Sequence, residues 1–113
     1  MTLKQIVEKL NLVVLSAEKN LEDTVSFGYS SDLLSDVIAN SKEKELWITL
    51  QIHLNIVAVA KLKELSGIIL VNNRKPDEET LKKAEEENIP ILSTQDSAFV
   101  ISGKLYALLD AKK

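Results

Sequence analysis

The chain contains one histidine, His53, one arginine, Arg74, and no cysteine, and these counts confine the available chemistry before any fold is considered. His53 lies in the stretch WITLQIHLN, residues 47–55, one or two residues before a helical pattern begins. There the ring stands at the positive end of a helix dipole. A neutral ring donates or accepts a hydrogen bond, which leaves three roles open: lining a pocket, serving the fold as a cap, or acting as a general base. The last requires an orienting carboxylate and a nucleophile within reach, and no neighbouring motif supplies either at a recognisable spacing.

The other candidates read in the same two ways. Asp32 and Asp36 stand four residues apart on one helical stretch, but Ser30-Ser31-Asp32 suits a helix cap better than half of an acid/base pair. Arg74 stands beside Lys75 after an apolar run, as a solvated turn or as an anion-capturing group next to a helix N-terminus. The chain lacks a glycine-rich phosphate loop, a dinucleotide fingerprint, paired metal-binding histidines and a nucleophile elbow, so the common enzyme signatures are missing. Without cysteine, and with one histidine, a transition-metal site would have to be carboxylate-rich, which nothing in the pattern indicates. No catalytic residue, metal or cofactor is expected.

The elements that must position these residues follow from composition and periodicity. With 113 residues, 45% hydrophobic and 27% charged, the chain has the size and balance of one globular domain, spanning residues 1–113. No apolar run approaches the roughly 18 residues of a bilayer crossing, and MTLKQIVEKL is amphipathic rather than a signal sequence. The absence of cysteine fits a cytoplasmic location. A net charge of −3 gives no drive toward nucleic acid or anionic lipid.

Short β-branched runs alternate with helical stretches. Thr2 and Gln5 form a capping box ahead of Leu3, Ile6, Val7 and Leu10. A short strand follows at 12–15 and a second extended segment at 23–27; Ser31 or Asp32 then caps a helix carrying Leu33, Leu34, Val37 and Ile38. An interior strand is expected at 46–51, a helix from Asn55, and a strand at 67–71, with Gly67 as the helix-terminating residue. Pro76 and Asp77 open a charged helix with Leu81 and Ala84 facing inward and Glu78–Lys82 and Glu79–Lys83 pairs. A last strand falls at 89–92, and Thr94 or Asp96 caps a final helix ending near Leu109. This order predicts an α/β, three-layer α/β/α sandwich with a mainly parallel sheet of about five strands.

In such sheets ligands bind beyond the carboxyl ends of the strands. The polar residues of the chain collect at those ends, and the candidate ligand-binding set is Gly28, Tyr29, Ser31, Asp32, Gln51, His53, Asn55, Asn72, Asn73, Arg74, Ser93 and Thr94, flanked by Ser30, Gln95 and Asp96. The plainer reading is that caps and loops are polar in any protein. The final helix offers Ala98, Phe99, Val100, Ile101, Leu105, Tyr106, Leu108 and Leu109, more apolar surface than one sheet contact uses, which points to a homodimer.

Several stretches together resemble the stand-alone DRTGG domain: LEDTVSFGY (21–29), SDLLS (31–35), WITLQIHLNIVAVA (47–60), PDEE (76–79) and IPILST (89–94). The resemblance covers nearly the whole chain. It implies the fold of the N-terminal domain of HPr kinase/phosphorylase and a non-enzymatic regulatory module that accompanies CBS domains and phosphotransacetylases in other proteins. Its partner would be a small anionic or nucleotide ligand or a regulatory protein. The naming motif is altered here, with Glu22-Asp23 in place of the Asp-Arg pair, Ser26 for the threonine, and Phe27 and Gly28 for the two glycines. If those glycines admit a ligand to the backbone, the Phe27 ring fills that space instead. The alternatives from other classes are a small enzyme or accessory phosphotransfer protein using His53 with Asp32 or Arg74, and a purely structural dimerisation module.

Overall fold

The computed structural model describes residues 1–111. The elements run α1 (Leu3–Leu10), β1 (Val13–Val14), β2 (Phe27–Ser30), α2 (Leu34–Asn40), β3 (Glu45–Thr49), α3 (Asn55–Leu62), β4 (Gly67–Leu70), α4 (Glu78–Glu86), β5 (Ile91–Ser93) and α5 (Ala98–Asp110). The five strands form one sheet in the order β1-β5-β4-β3-β2. Strands β2 to β5 are parallel neighbours, and β1 pairs antiparallel with β5 along the edge.

Strand alternation divides the core in two. Leu46, Ile48, Ile69, Val71 and Leu92 pack with α1 and α5, whereas Trp47, Ile68, Leu70 and Ile91 pack with α2, α3 and α4. Both faces of the central strands are buried, as a parallel sheet covered on two sides requires. The three crossovers β2-α2-β3, β3-α3-β4 and β4-α4-β5 all step the same way along the sheet. Crossovers of one hand therefore lay all three helices on one face, and the chain changes face only after β5.

The expected elements are all present, with shifted boundaries that have local causes. The segment 23–26 is not a sheet strand: Leu3 N–H donates to Asp23 O, Val25 N–H donates to Met1 O, and Thr24 bridges Thr2. This arm is tied to the N-terminus, and the strand proper begins at Phe27. The capping box at Thr2 and Gln5 is formed in both directions. At α2 neither Ser31 nor Asp32 is the cap; Leu33 occupies that position, because Asp32 is drawn to β3.

Gly67 does not end α3. The left-handed residue there is Glu64, φ 53°, and Gly67 opens β4 where an added Cβ would lie 3.1 Å from Pro90 O and 3.3 Å from Leu46 Cδ1. Its missing side chain serves close strand packing. On α4, Thr80 and Ala84 are the buried residues, with Thr80 Oγ1 donating to Ile52 O. The expected Glu78–Lys82 and Glu79–Lys83 ion pairs are not formed; Lys83 and Lys61 both pair with Glu87. Strand β5 starts late because Ile89 N–H caps α4 on Ala84 O, Pro90 has no N–H, and Ile91 N–H donates to the buried Ser16 Oγ. Ser97, rather than Thr94 or Asp96, caps α5.

Candidate functional site

The parallel register brings the carboxyl ends of β2, β3, β4 and β5 to one rim, so the four polar clusters share an edge of the sheet. Along that rim they do different things.

At the β2 and β3 ends the polar groups are spent on one another. Asp32 Oδ1 accepts hydrogen bonds from Thr49 Oγ1 and from Leu50 N–H, each 2.9 Å, and Gln51 Nε2 donates to Asp32 O. Ser31 O accepts from the indole N–H of the fully buried Trp47 at 2.8 Å, and Ser31 Oγ accepts from Leu33 N–H. Tyr29 donates its hydroxyl to Asp36, 2.9 Å to the nearer oxygen, and Asn40 donates to the same carboxylate. Hydrogen bonds from Ser31, Asn40 and Tyr29 hold the Asp36 carboxyl below its ordinary value, and the Asp36 bond raises the Tyr29 phenol. Gly28 leaves no opening, since a Cβ there would stand 2.8 Å from Leu105 Cδ2. Phe27 packs edge-on against Tyr106 with ring centres 5.4 Å apart. What remains beside Gly28, Ser30 and Ser102 is a cleft of about 140 Å³.

His53 sits on the other face, at the end of a groove of about 780 Å³ between α3 and α4. Its Nδ1 lies 2.9 Å from Asp77 Oδ2, and both side chains are largely exposed. The orienting carboxylate thus exists, 24 positions along the chain, and it is neither Asp32 nor accompanied by Arg74. Asn55 begins α3 beside the same groove. The walls are mainly Leu54, Val57, Ala58 and Leu62, while Lys61, Lys83 and Glu87 pair among themselves. The Lys61 bond holds the Glu87 carboxyl below its ordinary value.

The β4 and β5 ends differ in kind. After β4 the chain turns to α4 on one face of the sheet, and after β5 it turns to α5 on the other. Adjacent parallel strands whose continuations part in this way leave a crevice at their carboxyl ends. Asn72 and Asn73 adopt left-handed conformations, φ 56° and 54°, which asparagine tolerates better than most residues. That turn lets Asn72 N–H donate to Asp96 O and Asn73 N–H donate to Thr94 O, at 2.9 and 2.8 Å. The clasp fixes the loops relative to each other. Two clefts, of about 320 and 340 Å³, open around it and share Val13, Asn73 and Ser93. The first is polar, with Asn11, Thr94, Gln95 and a Lys104–Asp96 ion pair of 2.8 Å; the second carries Arg74 and Lys75 above Leu15 and Leu81.

Of the residues singled out in the sequence, Asn73, Arg74, Ser93 and Thr94 therefore line the two adjoining clefts, with Asn72 in the clasp beside them. Gly28 and Tyr29 border the small cleft under α5, Ser31, Asp32 and Gln51 brace β3, and His53 and Asn55 belong to the α3/α4 groove. Sequence reasoning missed Val13, Leu15, Lys75 and Lys104. The antiparallel placement of β1 beside β5 carries no local signal, although Lys104, seven residues after the Ser97 cap, falls on the helix side that faces back toward Asp96. Among the described residues, no group of three or more His, Cys, Asp and Glu is placed to hold a metal ion, and no helix is long and apolar enough to cross a membrane.

Fold and rim together define a three-layer α/β domain with a crevice at the point where its chain changes faces. The chain belongs to the DRTGG domain family, whose model matches residues 5–108. Among solved structures it is similar to the CBS and DRTGG domains of the regulatory region of Clostridium perfringens pyrophosphatase, complexed with the activator diadenosine tetraphosphate. The TM-score is 0.68 at 16% identity, over 93% of this chain and 45% of that one. The likeness is one of fold, and this chain spans about half the length of that region. A comparison with curated proteins returned no match.

Proposed function

We propose that the chain is a non-enzymatic, cytoplasmic regulatory module that binds a small anionic or nucleotide ligand between the β4 and β5 loops. The observation that carries this reading is the divergence of α4 and α5 to opposite faces, which opens a crevice lined by Asn73, Ser93 and Thr94 from two clasped loops. Family membership supports a regulatory role, and the similar regulatory region is one that takes a nucleotide activator. The module works as a homodimer, joined through the exposed face of α5. A thermal-shift screen of nucleotides and phosphorylated metabolites tests the ligand: a ligand at 100 times its Kd stabilises by about 2.7 kcal/mol. That shift is expected to vanish in Asn73→Ala, and a screen without any shift would leave a purely structural dimerisation module.

One observation favours a second reading. The His53–Asp77 pair orients an exposed imidazole, as a phosphotransfer or general-base role requires. It predicts that His53→Ala abolishes an activity while the melting temperature stays put. For an exposed residue away from the core the stability change is expected within about 0.5 kcal/mol, so any lost phosphoryl transfer would be chemical in origin.

A further inference from the structure

The cleft on the α4 side of the crevice has an uneven lining. Its floor is hydrocarbon, from Leu15 and Leu81 with the ring of Pro76, and Val13 stands exposed at its edge. Its lip carries Arg74 and Lys75, adjacent cations that make no ion pair or side-chain hydrogen bond among the described residues. By contrast Lys44, Lys61, Lys83 and Lys104 each hold a carboxylate.

Ser93 supplies an independent observation. It is only 8% exposed, yet its hydroxyl has no hydrogen-bond partner among the described residues, and it lines both clefts. No buried side-chain oxygen or nitrogen among the described residues lacks a partner, so the Ser93 hydroxyl keeps its access to solvent at the clefts, whereas the neighbouring Thr94 Oγ1 accepts from Asp96 N–H. An unpaired donor between a hydrocarbon floor and two free cations is suited to orient a bound group.

Resting on the crevice reading above, we infer that this cleft takes a phosphate ester of a flat, apolar ring. The phosphate meets Arg74 and Lys75, the ring lies over Leu15 and Leu81, and Ser93 Oγ donates to the ester or ring heteroatom between them. The guanidinium fork supplies paired donors to phosphate oxygens and the ammonium a point charge. The volume of about 340 Å³ accommodates one ring with its phosphate. Inorganic phosphate lacks the part that the floor recognises, and an uncharged ring lacks the part that the lip recognises.

Calorimetric titration of the full chain with phenyl phosphate, inorganic phosphate and phenol, followed by amide chemical shifts, tests this. Phenyl phosphate is expected to bind most tightly and to move the Asn73, Arg74 and Ser93 amides. Arg74→Ala and Lys75→Ala should each weaken it about tenfold, the effect of losing one charge-assisted contact. Val13→Ser, an exposed change on the apolar rim, should weaken phenyl phosphate and leave inorganic phosphate unchanged. Equal binding of phenyl phosphate and inorganic phosphate, insensitivity to both cation variants, or shifts confined to other surfaces would each overturn the inference. A neutral ligand that moves the same crevice amides without needing Arg74 would overturn it while leaving the broader regulatory reading in place. Silence of those amides toward every ligand of the wider screen would remove both.

Discussion

At the scale of single residues, the polar side chains of the rim separate into those committed to the fold and those left free. Asp32 belongs to the first kind: it accepts from the buried Thr49 hydroxyl and from Leu50 N–H. Asp32→Ala strands the Thr49 donor, and a buried unsatisfied hydroxyl costs about 1–3 kcal/mol. Urea denaturation should therefore show a lowered midpoint with an unchanged slope, whereas no loss would mean that water replaces the carboxylate. Gly28→Ala tests the claim that this glycine serves packing. The new methyl would meet Leu105 Cδ2 at 2.8 Å inside the core, and overpacking of this kind costs about 1–3 kcal/mol. A neutral or stabilising result would show that Leu105 turns aside freely and that the glycine is kept for another reason. His53, an obvious residue to choose from the sequence, belongs with neither group, being exposed and held by Asp77.

At the scale of elements, β2 and α2 are joined by the Tyr29–Asp36–Asn40 cluster, and its titration has a defined sign. Asp36 is held below its ordinary value of 3.8 in the folded protein. Its contribution is therefore present above that value and lost as pH falls through the lowered folded one. Tyr29 is raised above its ordinary 10.0, so its contribution is present below pH 10 and lost as pH rises through the folded value. The stability difference between the native chain and Tyr29→Phe should thus be flat between about pH 5 and 9 and shrink at both extremes. A difference that grew in acid would contradict the cluster. Helix α5 makes a separate prediction. Phe99 is 89% exposed and Tyr106 57%, on a helix whose other side is core. Replacing Phe99 by serine should convert the proposed dimer to monomers in sedimentation velocity without lowering the melting temperature of the monomer, whereas Tyr106 also holds Phe27 within the chain; an unchanged sedimentation coefficient would exclude this face. The order and type of the elements were legible because each carries its own period or cap, as Thr2-Gln5 and the alternation around Trp47 do. The boundaries at β2, α3 and β5 were not, since they depend on partners distant in sequence: Met1 for Val25, Pro90 for Gly67, Ser16 for Ile91.

At the scale of the whole molecule, strand order decides where a ligand site can form. Three crossovers in one direction leave no divergence of helices at the β2 and β3 ends, where the rim residues close on one another and only the small cleft under α5 remains. The switch of faces after β5 opens the only divergence between adjacent parallel strands in the described residues, at β4 and β5. Alternation of elements was enough to place Asn73, Arg74, Ser93 and Thr94 on a common rim. It could not show that α5 crosses to the α1 face, that β1 runs antiparallel at the edge, or that Asp77 reaches His53, because each of these is a long-range arrangement. The groove of about 780 Å³ between α3 and α4 is mainly apolar, with Lys61 and Lys83 already paired to Glu87 and its polar groups His53 and Asn55 gathered at one end. The measurement that bears most directly on the crevice is an amide correlation spectrum of the full chain with a nucleotide or phosphometabolite taken from the thermal screen. Perturbations should concentrate at residues 72–74 and 93–96, on both sides of the clasp. Their concentration at 53–62 and 83–87, along the α3/α4 groove, would contradict the assignment.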